Sequence, residues 1–435
     1  MIELKVKTIF KWSIFSVLTG LLVVTHLWAK EVELKQKAIE EFKNGRYPEA
    51  ISLLKKAVSE NPNDAEIWYY LGYFTHYLCA DWIPLTECNE KKSNEILEYL
   101  DRAITLDPKY GNAYYFIGVE HGCRFLKAMQ KGDVRKMRME LQTGRQKGGY
   151  PDWLIEYTRN MLRSCQPDAI LFTGGDGDSW PTWYLQICEN YRTDVTVIPT
   201  GLLNRPWFVL SLKNAIKNAL VSIPISWSKG QIIDMHPYRW KTYTVKIPIP
   251  RMVLERYNIL SQDSLMNWDL KPTLKTSSRE FLDTGRAILA DIIKTNRWKR
   301  PIYFSLAFPI TELPNLAKFM QLCGLTYRLL PVEVEKHDLS LNPKEIENVL
   351  LRPEYYRYFA DVKEHNMPRV SRTLNNYRLV LFNLAKYYVE SGDNEKAADI
   401  LDRMLTYMPE DIFPPSNGLK NMTEYLRNNI KAKNR

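Results

Sequence analysis

Between residues 169 and 333 the apolar positions come in short runs separated by turn-forming residues. "AILFTG" (169–174) and "VTVIPT" (195–200) have the length and β-branched content of buried strands, and "PTWYLQICENY" between them has helical spacing. Strand, helix and strand within about 30 residues form a βαβ unit. Further on, "AILADIIKTNRW" reads as a helix with Ile288, Ile292 and Ile293 on one side, and "PIYFSLAF" as the strand after it. The same reading makes "NLAKFMQLCG" a helix and "LTYRLLPVE" a strand. Residues 222–250, with prolines at 224, 237, 248 and 250 among aromatics, suit an excursion or extended hairpin beside the sheet. Outside this region, 36–130 and 372–408 carry small apolar residues at helix-pairing intervals and predict helical hairpins.

Those intervals define a repeat. Ala38, Gly45, Tyr47, Ala50, Leu54, Ala57 and Pro62 resemble one tetratricopeptide repeat of about 34 residues, in which small side chains let two antiparallel helices approach and a proline ends the second. Trp68, Leu71 and Gly72 begin a second unit, whose Ala103 and Pro108 arrive 12 residues late. Tyr114, Ile117 and Gly118 begin a third, and Leu384, Ala385, Tyr388, Gly392, Ala397, Leu401 and Pro409 form a copy near the end. Three helix-to-strand alternations in the middle imply a mostly parallel sheet covered by helices, a Rossmann-like three-layer α/β domain. The expected organisation is an export signal or anchor over 1–30, repeats over 31–150, the α/β domain over 151–345, a linker over 346–371, and a closing repeat with a tail over 372–435.

Charge and cysteines then locate the chain. Lys5, Lys7 and Lys11 precede an uncharged apolar run from Trp12 to Trp28, the pattern of a cleaved signal or a retained anchor, with Ala29 as a candidate last residue before cleavage. Everything after residue 30 is then expected outside the cytoplasm, periplasmic or held at the outer face of the membrane, with membrane contact only through the N-terminal segment. The net charge of +10 is spread among acids, so nucleic acid is not an expected partner. Six cysteines (79, 88, 123, 165, 188 and 323) include no CxxC, which argues against zinc; Cys79 and Cys88, closest in sequence, are the expected disulfide, inside the insertion of the second repeat. Neither a metal nor a cofactor is expected.

The candidate chemistry lies in "ILFTGGDGDSWPTWYLQ" (170–186). Ligands of open α/β sheets bind beyond the carboxyl ends of the strands, where Thr173, Gly174, Asp176 and Asp178 fall. Phosphate-binding glycine motifs, a calcium loop and a GxSxG elbow are all missing from this stretch. Two readings stay open: Asp178 or Ser179 caps a helix opened by Pro181 while Asp176 braces the turn, or the aspartates bind a ligand or a cation. In the second, Asp176, Asp178 and Asn204 accept and donate hydrogen bonds to a polar ligand such as a glycan beside Trp180, Tyr184 and Trp207.

This stretch, followed by "YRTDVTVIPTGLLNRPWF", "NRWKRPIYFSLAF", "LCGLTYRLLPVE" and the closing repeat, resembles the soluble tail of multi-pass bacterial membrane proteins related to protein O-mannosyltransferases. The resemblance spans roughly 160–410 and rests on Asp176, Asp178, Trp180, Pro181, Tyr184, Arg192, Asp194, Asn204, Trp207, Pro301, Tyr303 and Phe304. The membrane bundle that carries transferase activity in that family has no counterpart in this sequence, so the activity does not transfer with the tail. The expected function is an exported repeat scaffold that binds a protein or peptide on its repeat surface, or a glycan-like ligand. The alternatives are an envelope glycan or glycoprotein enzyme using Asp176 and Asp178, and an accessory subunit of a membrane glycosyltransferase.

Overall fold

The computed structural model describes residues 32–79, 90–214, 222–310, 314–359 and 368–433, and the chain divides into two compact units, Met1–Cys123 and Arg124–Arg435. In the first unit α1 (32–43), α2 (Tyr47–Glu60), α3 (Ala65–Tyr77), α4 (Glu90–Leu106) and the first part of α5 (Gly111–Lys131) follow one another as antiparallel hairpins. Gly45, at φ +76°, makes the left-handed turn between α1 and α2 that a side chain would strain. Asp64 opens α3 by accepting the backbone N–H groups of Glu66 and Ile67. Ala38, Ala50 and Ala57 are fully buried with Leu54, Ile67 and Phe74, as expected of the small-residue template. Gly72 has a further reason to be small, since a Cβ there would lie 2.8 Å from the side chain of Leu100 in α4.

A buried polar bridge also ties this unit together: His76 Nδ1 lies 2.9 Å from Glu120 Oε2, and Ser93 donates to the other oxygen of the same carboxylate. Cys79 is buried, while Cys88 and the insertion between α3 and α4 lie outside the described residues, and with them the expected Cys79–Cys88 bridge.

The second unit continues with α6 (Val134–Gln146), α7 (Asp152–Arg163), β1 (Ile170–Thr173), α8 (Asp176–Glu189), β2 (Thr196–Pro199), a 3-10 turn (Thr200–Asn204) and α9 (Pro206–Asn214). Then come α10 (Lys229–Ile233), β3 (Tyr238–Arg239), β4 (Tyr243–Pro248), α11 (Arg251–Arg256), β5 (Leu265–Leu270), β6 (Leu274–Lys275), β7 (Glu280–Leu282), α12 (Thr284–Asn296) and β8 (Ile302–Ser305). The remainder is α13 (Pro314–Ala317), β9 (Met320–Cys323), β10 (Thr326–Leu329), α14 (Pro343–Leu350), α15 (Pro368–Glu390), α16 (Asn394–Tyr407) and α17 (Asn417–Lys433).

The central sheet is mixed, in the order β2-β1-β8-β10-β9. β1 pairs parallel with β2 and β8, whereas β10 runs antiparallel to both β8 and β9. This corrects the expected third helix-to-strand alternation: helix occupies only Pro314–Ala317, and Met320–Cys323 is already strand. Gly324 at φ +57° turns the chain directly into β10, and a connection this short joins only antiparallel neighbours. The prolines at 224–250 do flank an antiparallel ribbon, β4 paired with β5, and β3, β7 and β6 form a second small sheet.

Residues 346–359 are packed structure rather than linker. Tyr356 and Phe359 are buried, each with its ring 5.3 Å from that of Tyr377 in α15. From the other side, α7 reaches α15 through Asn160 Nδ2 to the Tyr377 hydroxyl at 2.8 Å and Asn376 Nδ2 to the Tyr157 hydroxyl at 3.0 Å. The α15–α16 hairpin turns at Gly392 (φ +89°), and Asp393 caps α16 through the N–H of Lys396.

Candidate functional site

The three parallel strands end alike. β1 is Ile-Leu-Phe-Thr and β8 is Ile-Tyr-Phe-Ser, all eight residues buried, and β2 runs directly into Thr200. Their shared carboxyl edge therefore carries three buried hydroxyls, Thr173, Thr200 and Ser305. Thr200 Oγ1 donates to the Thr173 carbonyl at 3.2 Å, and Thr173 Oγ1 lies 2.8 Å from Ser179 Oγ. Ser305 Oγ accepts the Gly174 N–H at 3.3 Å and donates to Asp178 Oδ2.

Gly174 is fixed by the same convergence. A Cβ there would lie 2.2 Å from the carbonyl oxygen of Ala307 and 2.6 Å from the Phe308 nitrogen, so the chain leaving β8 passes where a side chain would stand. From Gly175, α8 starts at once. Asp176 and Asp178 thus lie in its first turn, Gly175 is the N-cap residue without a side-chain cap, and Pro181 sits inside the helix. Neither reading of the capping alternative holds in detail, because the helix begins five residues before Pro181. Ser179 instead donates back to the Gly175 carbonyl at 2.7 Å.

The two aspartates have different surroundings. Asp176 is exposed, while Asp178 keeps 5% of its surface. Burial pushes the Asp178 carboxyl up to about 6; the Ser305 hydroxyl and the Gly174 N–H oppose the rise, and the charge of Asp176 adds to it. Burial, with the Asp178 charge behind it, also holds the Tyr157 hydroxyl well above the ordinary phenol range.

The other expected residues go different ways. Asn204 lies at the exit of β2, where Oδ1 accepts the N–H of Gly285 at 2.7 Å and so serves the first turn of α12. Trp180 is buried, its ring 5.5 Å from Trp183 and 6.4 Å from Phe125, and its indole N–H has no hydrogen-bond partner among the described residues. Tyr184 is half-buried with its ring 6.3 Å from Tyr150, and Trp207 is half-buried edge-on to Phe208 at 5.7 Å. Asp178 and Thr173 therefore share the edge with Asn204, while Trp180 packs into the core and Tyr184 faces the Tyr150 region. Arg192, conspicuous in the sequence, pairs with Asp194 at 2.8 Å and donates to the carbonyls of Leu162 and Cys165 behind α7. Among the described residues no three His, Cys, Asp or Glu side chains are grouped to hold a metal.

Two residues escaped sequence reasoning. Ser305 had a signal, a hydroxyl closing an apolar strand as Thr173 does. Arg286 had none: it is half-buried in the first turn of α12 with its guanidinium 5.7 Å from the Phe308 ring, and burial lowers its pKa.

With hairpins and a mixed sheet both in view, the class is a mostly helical protein in which tetratricopeptide-type hairpins accompany a small mixed sheet. A family model described as TPR repeat matches residues 40–76, and one described as TMEM260-associated domain 2 matches residues 154–241 and 241–349, a stretch running from α7 to α14 and including the whole carboxyl edge. A search of the curated proteins finds no match.

Proposed function

We propose that the protein is an exported scaffold that binds a partner protein or peptide across its first-unit hairpins. The observation that carries this reading is the side-chain set on the first helices of successive repeats. Tyr70 and Tyr73 of α3 and Tyr110 before α5 are half-buried rather than sealed into the core. Beside them Lys35 Nζ binds both Asp64 Oδ2 at 3.2 Å and Glu66 Oε2 at 2.8 Å. Burial raises the Tyr70 and Tyr110 hydroxyls, and Glu66 adds to both shifts, so aromatic faces and charged groups share one surface. Stacked repeats use surfaces of this composition to hold extended or helical peptides.

Export, and with it a position outside the cytoplasm, rests on the lysine-flanked apolar run of the first 30 residues. The resemblance to the tails of O-mannosyltransferase-related membrane proteins supports work alongside a glycosylating membrane enzyme. The finer fold reading, a Rossmann-like layered domain, rests on the β2-β1-β8 core alone. A second reading, ligand recognition or acid–base chemistry on a glycan at the carboxyl edge, draws on the Asp178 carboxyl near pH 6, a value suited to a proton donor or acceptor.

A photoreactive residue at Tyr70 in the native protein tests the scaffold. It is expected to cross-link one discrete polypeptide, with no product from the same residue at the exposed Met422 of α17. Equal labelling from both positions counts against the repeat surface. Glycan binding that is lost in Asp178→Asn and kept in Tyr70→Ala would favour the second reading.

A further inference from the structure

The β4–β5 ribbon ends in a group of apolar side chains that the core does not use. Pro248 pairs with Leu265, so the segment between them, which contains α11, closes one end of the ribbon. On its inner side Ile247, Val253, Met266 and Trp268 are buried. On its outer side Met252 is 64% exposed, Leu260 93% and Leu265 37%. Single exposed apolar residues are ordinary, but three gathered at one ribbon end are not scattered. Lys246, Arg251 and Arg256 are exposed around them, Arg256 donating to the Trp298 carbonyl at 2.9 Å. The acids here are Glu255, 3.4 Å from Arg251, and Asp263, 3.7 Å from His337.

We infer that this ribbon end docks on an anionic lipid surface, with Leu260 and Met252 entering the headgroup boundary. Shape decides against a protein partner. A packed protein interface needs about 800 Å² of matched surface from each side. Leu260 instead projects nearly whole into water from the turn between α11 and β5, and lipid closes around such a side chain individually. Charge selects the lipid: Lys246, Arg251 and Arg256 are exposed at this end against the two acids Glu255 and Asp263, so the local balance is positive and anionic headgroups gain where neutral ones do not. The inference rests on the ribbon alone and needs neither the repeat-surface reading nor the export reading.

The full chain reconstituted with vesicles tests it, because amide exchange reports on 248–265 separately from any contact of the N-terminal run. On vesicles of phosphatidylcholine with phosphatidylglycerol, peptides covering 248–265 should exchange about tenfold more slowly than in neutral detergent. The Met252→Ser, Leu260→Ser double variant should lose that slowing while peptides of β1 and β8 exchange as before, showing an intact fold. Unchanged exchange on phosphatidylglycerol vesicles overturns the inference. So does equal slowing on pure phosphatidylcholine, or slowing without lipid at raised protein concentration, which would identify contact between copies of the chain.

Discussion

Burial gives Asp178 a consequence for stability that its exposed neighbour Asp176 lacks. A carboxyl moved from 3.8 to about 6 on folding binds its proton more tightly in the folded state. Its contribution to stability is therefore complete below about pH 4 and is lost as pH rises through about 6, a difference of about 3 kcal/mol for this group. Asp178→Asn cannot ionise and keeps an oxygen for the Ser305 hydroxyl. Its melting temperature is expected to match or exceed the parent's at pH 7.5, with the gap closing toward pH 4; Asp176→Asn, which removes only the smaller charge contribution to the Asp178 shift, should have a much smaller effect in the same direction. A lower melting temperature for Asp178→Asn at pH 7.5 that disappears toward pH 4 would show that the charge itself is what the edge requires. Gly174→Ala is the harsher change. Its Cβ would meet backbone atoms of Ala307 and Phe308 and should destabilise by about 1–3 kcal/mol or more, measured by urea unfolding.

The helical hairpins allow a sharper test of packing than single substitutions. Gly72→Ala presses on Leu100 across the α3–α4 contact and is expected to lose about 1–3 kcal/mol, but the loss should shrink in a Leu100→Ala background, because the two positions share one space. Additive losses would mean that α3 and α4 do not meet there. Asn204→Ala removes the acceptor for the Gly285 N–H and should weaken the start of α12 by about 1 kcal/mol, seen as faster amide exchange in its first turn. These elements differ in how far sequence exposed them. The hairpins were legible because alanine, glycine and proline at fixed intervals admit few other structures. β1, β2 and β8 were legible as short apolar runs between turn residues. β9 was not: "MQLC" is four apolar-to-neutral residues after a real helical turn, and only the left-handed Gly324 separates a hairpin from a continued helix. The site was half legible. The loop and its position at the strand ends followed from the pattern, whereas the direction of each side chain depended on where α8 begins, and Gly175 set that start five residues early.

In the second unit the closing helices are built into the sheet domain's support, since Tyr356, Phe359 and Tyr377 are buried together and Asn160 of α7 bonds Tyr377. A chain ending at residue 350 is expected to lose cooperative thermal unfolding, because those aromatic partners and the hydrogen bonds of Asn160 and Tyr157 go with it; a sharp transition in that truncation would show the sheet to be self-sufficient. The Asn160–Tyr377 bond has a second meaning, in time rather than in space. Its two ends are 217 residues apart, so a ribosome working at about 5–20 residues per second needs roughly 10–40 s to supply the second after the first. Throughout that interval α7 and the early strands lack their final neighbours, and a nascent chain in this state remains threadable. Closure of this unit is thus tied to the arrival of α15, whatever the speed at which α7 and the strands form by themselves.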